Sequence, residues 1–309
     1  MNKSSIRIRA GLRMSELILI YKWSILAAVV VSSALALIGT QLAARQQAMQ
    51  TLVVSQSASL GVVLALGLLA SWHGEHTHPH EPSLWPTLSG FLFALAMGLV
   101  SQKLIRTKWP SRNTYFIALF CLLMALNACV IAISPGLEAH TSAAYFGDLA
   151  VSSEVEAQLL SVLGILVGLG MLMAWRRLTG ISFNLMSFEL PPLRRRDRQL
   201  DWAMNLAGFI LIAGAVQFLG LLFTLASLFL VPVILVRWHR SLRGLAVRIL
   251  LATGVGAGVG FWISLSWGDG RLPTVPTMAL TLPLSAWLIY LLGRLLSSSQ
   301  RVVSRGVAP

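Results

Sequence analysis

The feature that most limits what this chain can become is a succession of apolar runs, each near the length of a membrane crossing. They cover about residues 16–41, 52–72, 87–104, 115–134, 157–174, 202–236, 249–265 and 276–293. A helix needs roughly 20 residues to cross the hydrocarbon, and only structures that satisfy their own backbone groups persist there. Charged residues make up 11% of the chain, whereas a soluble domain carries about 25%. The expected fold is therefore all-α, a polytopic transmembrane helical bundle of about 8–9 membrane spans. Residues 202–236 are long enough for two short spans, or for one span plus a re-entrant piece. A basic tail, 1–14, precedes the transmembrane domain, 15–294, and a basic cytoplasmic tail, 295–309, follows it.

A net charge of +13 would suit a nucleic-acid binder, but the bases are placed otherwise. Most of the 24 Lys and Arg fall around residues 45, 103–112, 176–198, 237–248 and 294–305, on alternate sides of the apolar runs. Only Glu189, Asp197 and Asp201 accompany them, and the other acids fall in the intervening loops. That is the positive-inside pattern, which puts the basic loops in the cytoplasm and leaves no role for nucleic acid. Nine strictly alternating spans would leave the N-terminal tail outside. No cleavable signal peptide is legible, because no small-residue cleavage site follows a short apolar region.

The polar punctuation of the runs suggests chemistry. His73, Glu75, His76, His78 and His80 crowd one loop, and neutral imidazoles gathered in this way suit weak capture of zinc, copper or nickel. The spacing is not H-E-x-x-H, so a metalloprotease is excluded. Cys121 and Cys129 stand about 12 Å apart along one helix, too far for a disulfide. With Asn127 and Gln56 they are the soft or neutral donors that the spans contain. The acidic loop with Glu138, His140, Asp148, Glu154 and Glu156 has the charge to dock a soluble partner. GVGAGVG, residues 254–260, lies inside an apolar run with no strand before it, so it reads as helix packing rather than a dinucleotide loop. Gly164 and Gly168 have the small-xxx-small spacing of a close helix crossing. No G-x-x-x-x-G-K-[ST] occurs, so ATP-driven work would need a separate subunit.

The stretch GTQLAARQQAMQTLVVSQSASLG, residues 39–61, joins the first run to the second. It resembles, without a gap, a pattern of the membrane permease subunits of metal-ion ABC importers for zinc, manganese and iron. That pattern is G-x-x-L-x-x-R-R-M-x-x-x-G-D-x-x-S-H-A-x-x-x-G, and Gly39, Leu42, Arg45, Ser55 and Gly61 keep it. Its aspartate and histidine fall on Leu52 and Gln56. Further likenesses follow in order: YFGDLAVSSE at 145–154, Ser182-Phe183-Asn184 before an expected short cytoplasmic helix, Leu228 with Pro232 and Arg237, and GDGRLPTVPT at 268–277.

The resemblance implies a transport subunit rather than an enzyme, in the bacterial cytoplasmic (inner) membrane, working by alternating access. Its implied partners are a cytoplasmic ABC ATPase, a periplasmic solute-binding protein, a second permease copy and membrane lipid. No cofactor is bound covalently, and the cargo is a transition metal: zinc first, with manganese or iron as alternatives. The translocation path is expected at Leu52, Gln56 and Asn127, and weak outer metal capture at His73, His76, His78 and His80. ATPase coupling is expected at Phe183, Phe188, Arg194 and Arg195. The missing carboxylate and imidazole keep a second cargo open, a metal chelate or other small molecule. A non-transporting metal sensor or buffer is the reading from another class.

Overall fold

The computed structural model describes residues 21–73, 84–105, 112–133, 154–186, 194–236, 241–266 and 272–305. Its helices are α1 Lys22–Ala44, α2 Ala48–His73, α3 Leu84–Ile105, α4 Arg112–Ile133, α5 Glu154–Met186 and α6 Arg195–Leu225. A π-helical turn, Ala226–Leu230, leads into α7 Val231–Val236, and α8 Leu242–Ser266 and α9 Thr274–Arg305 complete the order. Among the described residues no strand occurs. Among the described residues, eight helical stretches are long and apolar enough to cross a membrane, taking Arg195–Val236 as one.

The helices run past the apolar segments that announce them. α5 continues through Arg176 and Arg177 to Met186, so Ser182, Phe183 and Asn184 belong to the transmembrane helix itself rather than to a connection before a separate helix. At 33 residues it is about 50 Å long, well beyond the roughly 30 Å of hydrocarbon. Arginine is a good helix former, and its charge can leave the membrane while its backbone stays helical. The basic ends therefore project as helical extensions beyond the apolar stretches.

The direction of each helix follows from its partners along α1. Arg45, just past the α1 end, pairs with Asp201, and Ile38 faces Gly208, so α6 runs antiparallel to α1. Gly164 faces Val30 and Val31 while Gly168 faces Ala34, so α5 runs parallel to α1. Gly164 serves the close crossing expected of the pair, whereas a Cβ on Gly168 would make only an ordinary contact, 3.5 Å from Ala34 Cβ. Ser33 Oγ lies 2.8 Å from Thr253 Oγ1, and the Trp175 indole donates to the Leu242 carbonyl at 3.0 Å. The start of α8 is therefore at the same basic end as Arg45. Both α6 and α8 begin at that end, so the chain between them must go out and return.

The return happens at Gly220. Its φ of 78° and ψ of 163° interrupt α6, a conformation that costs glycine little and that L side chains avoid. Beyond it, Leu228 comes back to the level of Gly39, near the basic end of α1. The two helices cross so closely there that a Cβ on Gly39 would overlap the Leu228 carbonyl. Residues 195–236 are thus one arm leading away from the basic end and one shorter return arm, and the start of α1 lies at the end opposite Arg45. Residues 1–14 lie outside the described residues.

The core is built around α1 and α6, with Val31, Leu35, Leu211, Ile212 and Phe223 fully enclosed. α8 and α9 pack through the glycine run: a Cβ on Gly256 would stand 2.9 Å from Leu282 Cα, and Gly260 abuts Met278. Helix packing accounts for these glycines, as expected. α4 is the least enclosed span, and both Cys121 and Cys129 are exposed on it as free thiols.

Candidate functional site

A three-residue turn carries the chain from α1 into α2, with Gln46 in the left-handed region at φ 54°. The Gln46 N–H donates to the Ala43 carbonyl and the Gln47 N–H to that of Leu42, which closes the turn. Two polar regions flank it, one at the basic end of α1 and one inside α2.

The first is a buried network that joins three helices. Arg45, only 5% exposed, forms an ion pair with Asp201 on α6 and donates from Nε to Ser182 Oγ at 2.8 Å on α5. Ser182 Oγ in turn lies 2.8 Å from Gln41 Oε1, and Gln41 Nε2 donates to Thr179 Oγ1 at 3.3 Å. A buried ion pair holds only when hydrogen bonds satisfy what the partner charge leaves over. Here hydroxyls and an amide supply them, so α1, α5 and α6 are fastened at one level.

The second region lies within α2, which buries Gln50, Thr51, Ser55, Gln56, Ser57 and Ser59. Some are satisfied locally: Thr51 Oγ1 donates to the Ala48 carbonyl, Ser57 Oγ to that of Val54, and Gln50 Nε2 to Ser101 Oγ at 2.7 Å. Others are not. Ser55 Oγ, Gln56 Oε1 and Asn127 Oδ1 have no hydrogen-bond partner among the described residues, although Gln56 and Asn127 are each 1% exposed. Asn127 on α4 reaches α2 one turn beyond Gln56, donating from Nδ2 to Ser59 Oγ at 3.0 Å. Leu52 is partly buried one turn before Gln56. A polar atom left unpaired in such a setting costs about 1–3 kcal/mol.

The structure thus brings the three expected path residues into one α2–α4 neighbourhood, with Ser55 and Ser59 beside them. The density of Ser and Gln within an apolar run was the available sequence signal for those two. Gln217 on α6 is a further orphan: its Nε2 donates to the Thr87 carbonyl at 3.2 Å, while Oε1 is unpaired. Among the described residues, no three His, Cys, Asp or Glu converge on a point that would hold a metal ion. Cys121 and Cys129 stand on the exposed surface of α4. His76, His78, His80 and Phe188 lie outside the described residues, as does the His73 side chain. Phe183 is 70% exposed near the end of α5, and Arg194 and Arg195 are exposed at the start of α6.

Comparison with known proteins supplies the rest. A profile described as the ABC 3 transport family matches residues 18–293. Among curated proteins there is no match. The fold is similar to that of PsaBC from Streptococcus pneumoniae, solved in complex with Fab, with a TM-score of 0.66 at 15% identity over 87% of this chain and 90% of that one. It is also similar to a metal-chelate type ABC transporter in an inward-facing conformation, with a TM-score of 0.65 at 17% identity over 91% of this chain and 90% of that one.

Proposed function

Because this chain belongs to the ABC 3 transport family and is a multi-pass membrane protein, we propose that it is the permease subunit of an ABC importer for a transition metal. It performs no covalent chemistry. A separate ATPase subunit hydrolyses ATP below it, a solute-binding protein delivers cargo from outside, and two permease copies enclose the path between them. Zinc leads among the three metals of the resemblance, followed by manganese and iron.

The observation that carries the reading is the set of orphan oxygens on α2 and α4. In a membrane span a buried acceptor without a donor is unfavourable, and such groups concentrate where a substrate passes. Leu52 brings no charge to this face and Gln56 only an amide, so a dication stripped of its water would lose more solvation than the site returns. The cargo best suited to Ser55 Oγ, Gln56 Oε1 and Asn127 Oδ1 is therefore one that brings its own ligands and donates hydrogen bonds, a metal chelate. One of the two structural relatives is described as of the metal-chelate type.

Alternating access would draw on the α5 and α6 extensions, where Phe183 offers an apolar anchor to the ATPase. The deciding experiment is metal uptake by cells with and without the gene, followed by elemental analysis during zinc, manganese and iron limitation, with each metal supplied free and chelated. Uptake restricted to chelated metal is expected. Uptake of free zinc that depends on Gln56 would overturn the chelate reading, and no gene-dependent uptake of any metal would overturn transport. Converting the face with Leu52→Asp and Gln56→His should create zinc binding by purified protein that the parent lacks.

A further inference from the structure

A groove of about 550 Å³ lies between the end of α5 and the start of α6, lined by Arg177, Asn184, Arg194, Arg195, Arg196 and Asp197. Four guanidinium groups thus meet one carboxylate, and among the described residues none of the four forms an ion pair. Asp197 is in the first turn of α6, where a carboxylate favours the helix's own N-terminal dipole. No side chain caps that helix, so its first N–H groups add to the positive field.

The groove straddles the membrane boundary. Ser182 and Asp201 both bind Arg45 and therefore share one level. Arg177 is five residues from Ser182, about 7 Å toward the membrane interior, and Arg195 is six residues from Asp201, about 9 Å toward the cytoplasm. Exposed apolar side chains ring the same level: Phe183 at 70%, Leu185 at 48% and Trp202 at 46%. Arginines on either side of a band of exposed aromatic and aliphatic side chains match the boundary between headgroups and acyl chains.

We infer that this groove binds the phosphate of an anionic phospholipid, with its acyl chains running along α5 past the exposed Met173 and Leu169, on the interior side of Arg177. Guanidinium groups pair with phosphate oxygens in a two-pronged geometry that ammonium groups do not offer. Basic pockets between transmembrane helices on the cytoplasmic side suit such headgroups. An acidic loop of an ATPase would reach Arg195 and Arg196 at the outer end, but it would have to enter the membrane boundary to reach Arg177. The sequence assigns Arg194 and Arg195 to ATPase coupling, and the geometry assigns them first to lipid. This requires only that the chain crosses a membrane with this end in the cytoplasm, not that the cargo is a metal.

The test is binding of phosphatidylglycerol and of phosphatidylcholine to the purified full chain in detergent, read by native mass spectrometry and by lipid-dependent thermal protection. Each arginine near a membrane surface changes headgroup affinity about fivefold, so Arg177→Gln with Arg195→Gln should weaken phosphatidylglycerol binding about 25-fold. Phosphatidylcholine binding should not change, and the lipid-free melting temperature of the variant shows that it folds. If that pair folds poorly, Arg194→Gln with Arg196→Gln, both at exposed positions, repeats the test. Equal phosphatidylglycerol binding by parent and folded variant overturns the proposal. Protection by inorganic phosphate equal to that by the lipid would make it a soluble-phosphate site instead. A variant that keeps its lipid preference but no longer co-purifies with the ATPase would make it a protein contact.

Discussion

The Arg45 network and the α2–α4 face are both polar, both buried and separated along the chain by only a few turns of helix, yet they are finished differently. Around Arg45 the charge meets a charge and the hydroxyls meet an amide. On α2 and α4, Ser55 Oγ, Gln56 Oε1 and Asn127 Oδ1 meet nothing among the described residues. A saturated network has spent its interactions on holding helices together, and an unsaturated one keeps them for something that arrives later. The first is a fastening and the second is the path proposed above, and mutation should separate them.

The largest effect belongs to the fastening. Arg45→Met removes the charge opposite Asp201, which is partly exposed and can hydrate, and should cost about 2–3 kcal/mol. That would appear as a clear fall in the thermal unfolding midpoint of the detergent-solubilised protein. A midpoint within a degree of the parent would mean the network is not structural. Asp201→Asn should cost less, because the amide can still accept from the guanidinium.

Next comes the crossing that the fastening holds in register. Gly39→Ala places a methyl against the Leu228 carbonyl, and because backbone yields less readily than a side-chain tip, about 1–3 kcal/mol should be lost. Gly168→Ala is the control: its Cβ would stand 3.5 Å from Ala34 Cβ, an ordinary contact, and stability should hold. Similar losses for both substitutions would show that the tight crossing at Gly39 carries no special strain.

The path should respond with the opposite sign. Gln56→Leu removes a buried acceptor with no donor, so stability should rise by about 1 kcal/mol while metal uptake falls. A loss of stability would place Gln56 in the fastening class and erase the contrast between the two regions. The smallest effect belongs to the outer loop. Changing His73, His76, His78 and His80 together to Ser should leave the melting temperature unchanged and raise only the metal concentration needed for half-maximal uptake. A change at saturating metal would move these histidines from capture to transport.

Span number and family were legible because each depends on local composition or on contiguous motif residues. Apolar length marks crossings, and Gly39, Leu42, Arg45, Ser55 and Gly61 carry the likeness within one stretch. The helix ends were less legible, since hydropathy stops at Arg176 while the backbone of α5 continues to Met186. For the candidate site, sequence identified Gln56, Leu52 and Asn127 as residues of interest but not which of their atoms lack a partner.

By itself, then, the sequence determined a polytopic helical membrane protein of this family, with its bases gathered on alternate loops and neither carboxylate nor imidazole at positions 52 and 56. Only the tertiary structure decided that residues 195–236 turn back at Gly220, because one glycine among many takes a left-handed φ only where packing demands it. It likewise decided that Arg45 meets Asp201, 156 residues away, and that four arginines from two helices share one groove. Hydropathy and motif are properties of neighbouring residues along the chain. Partnership is a property of neighbours in space, and that is settled only when the helices have packed.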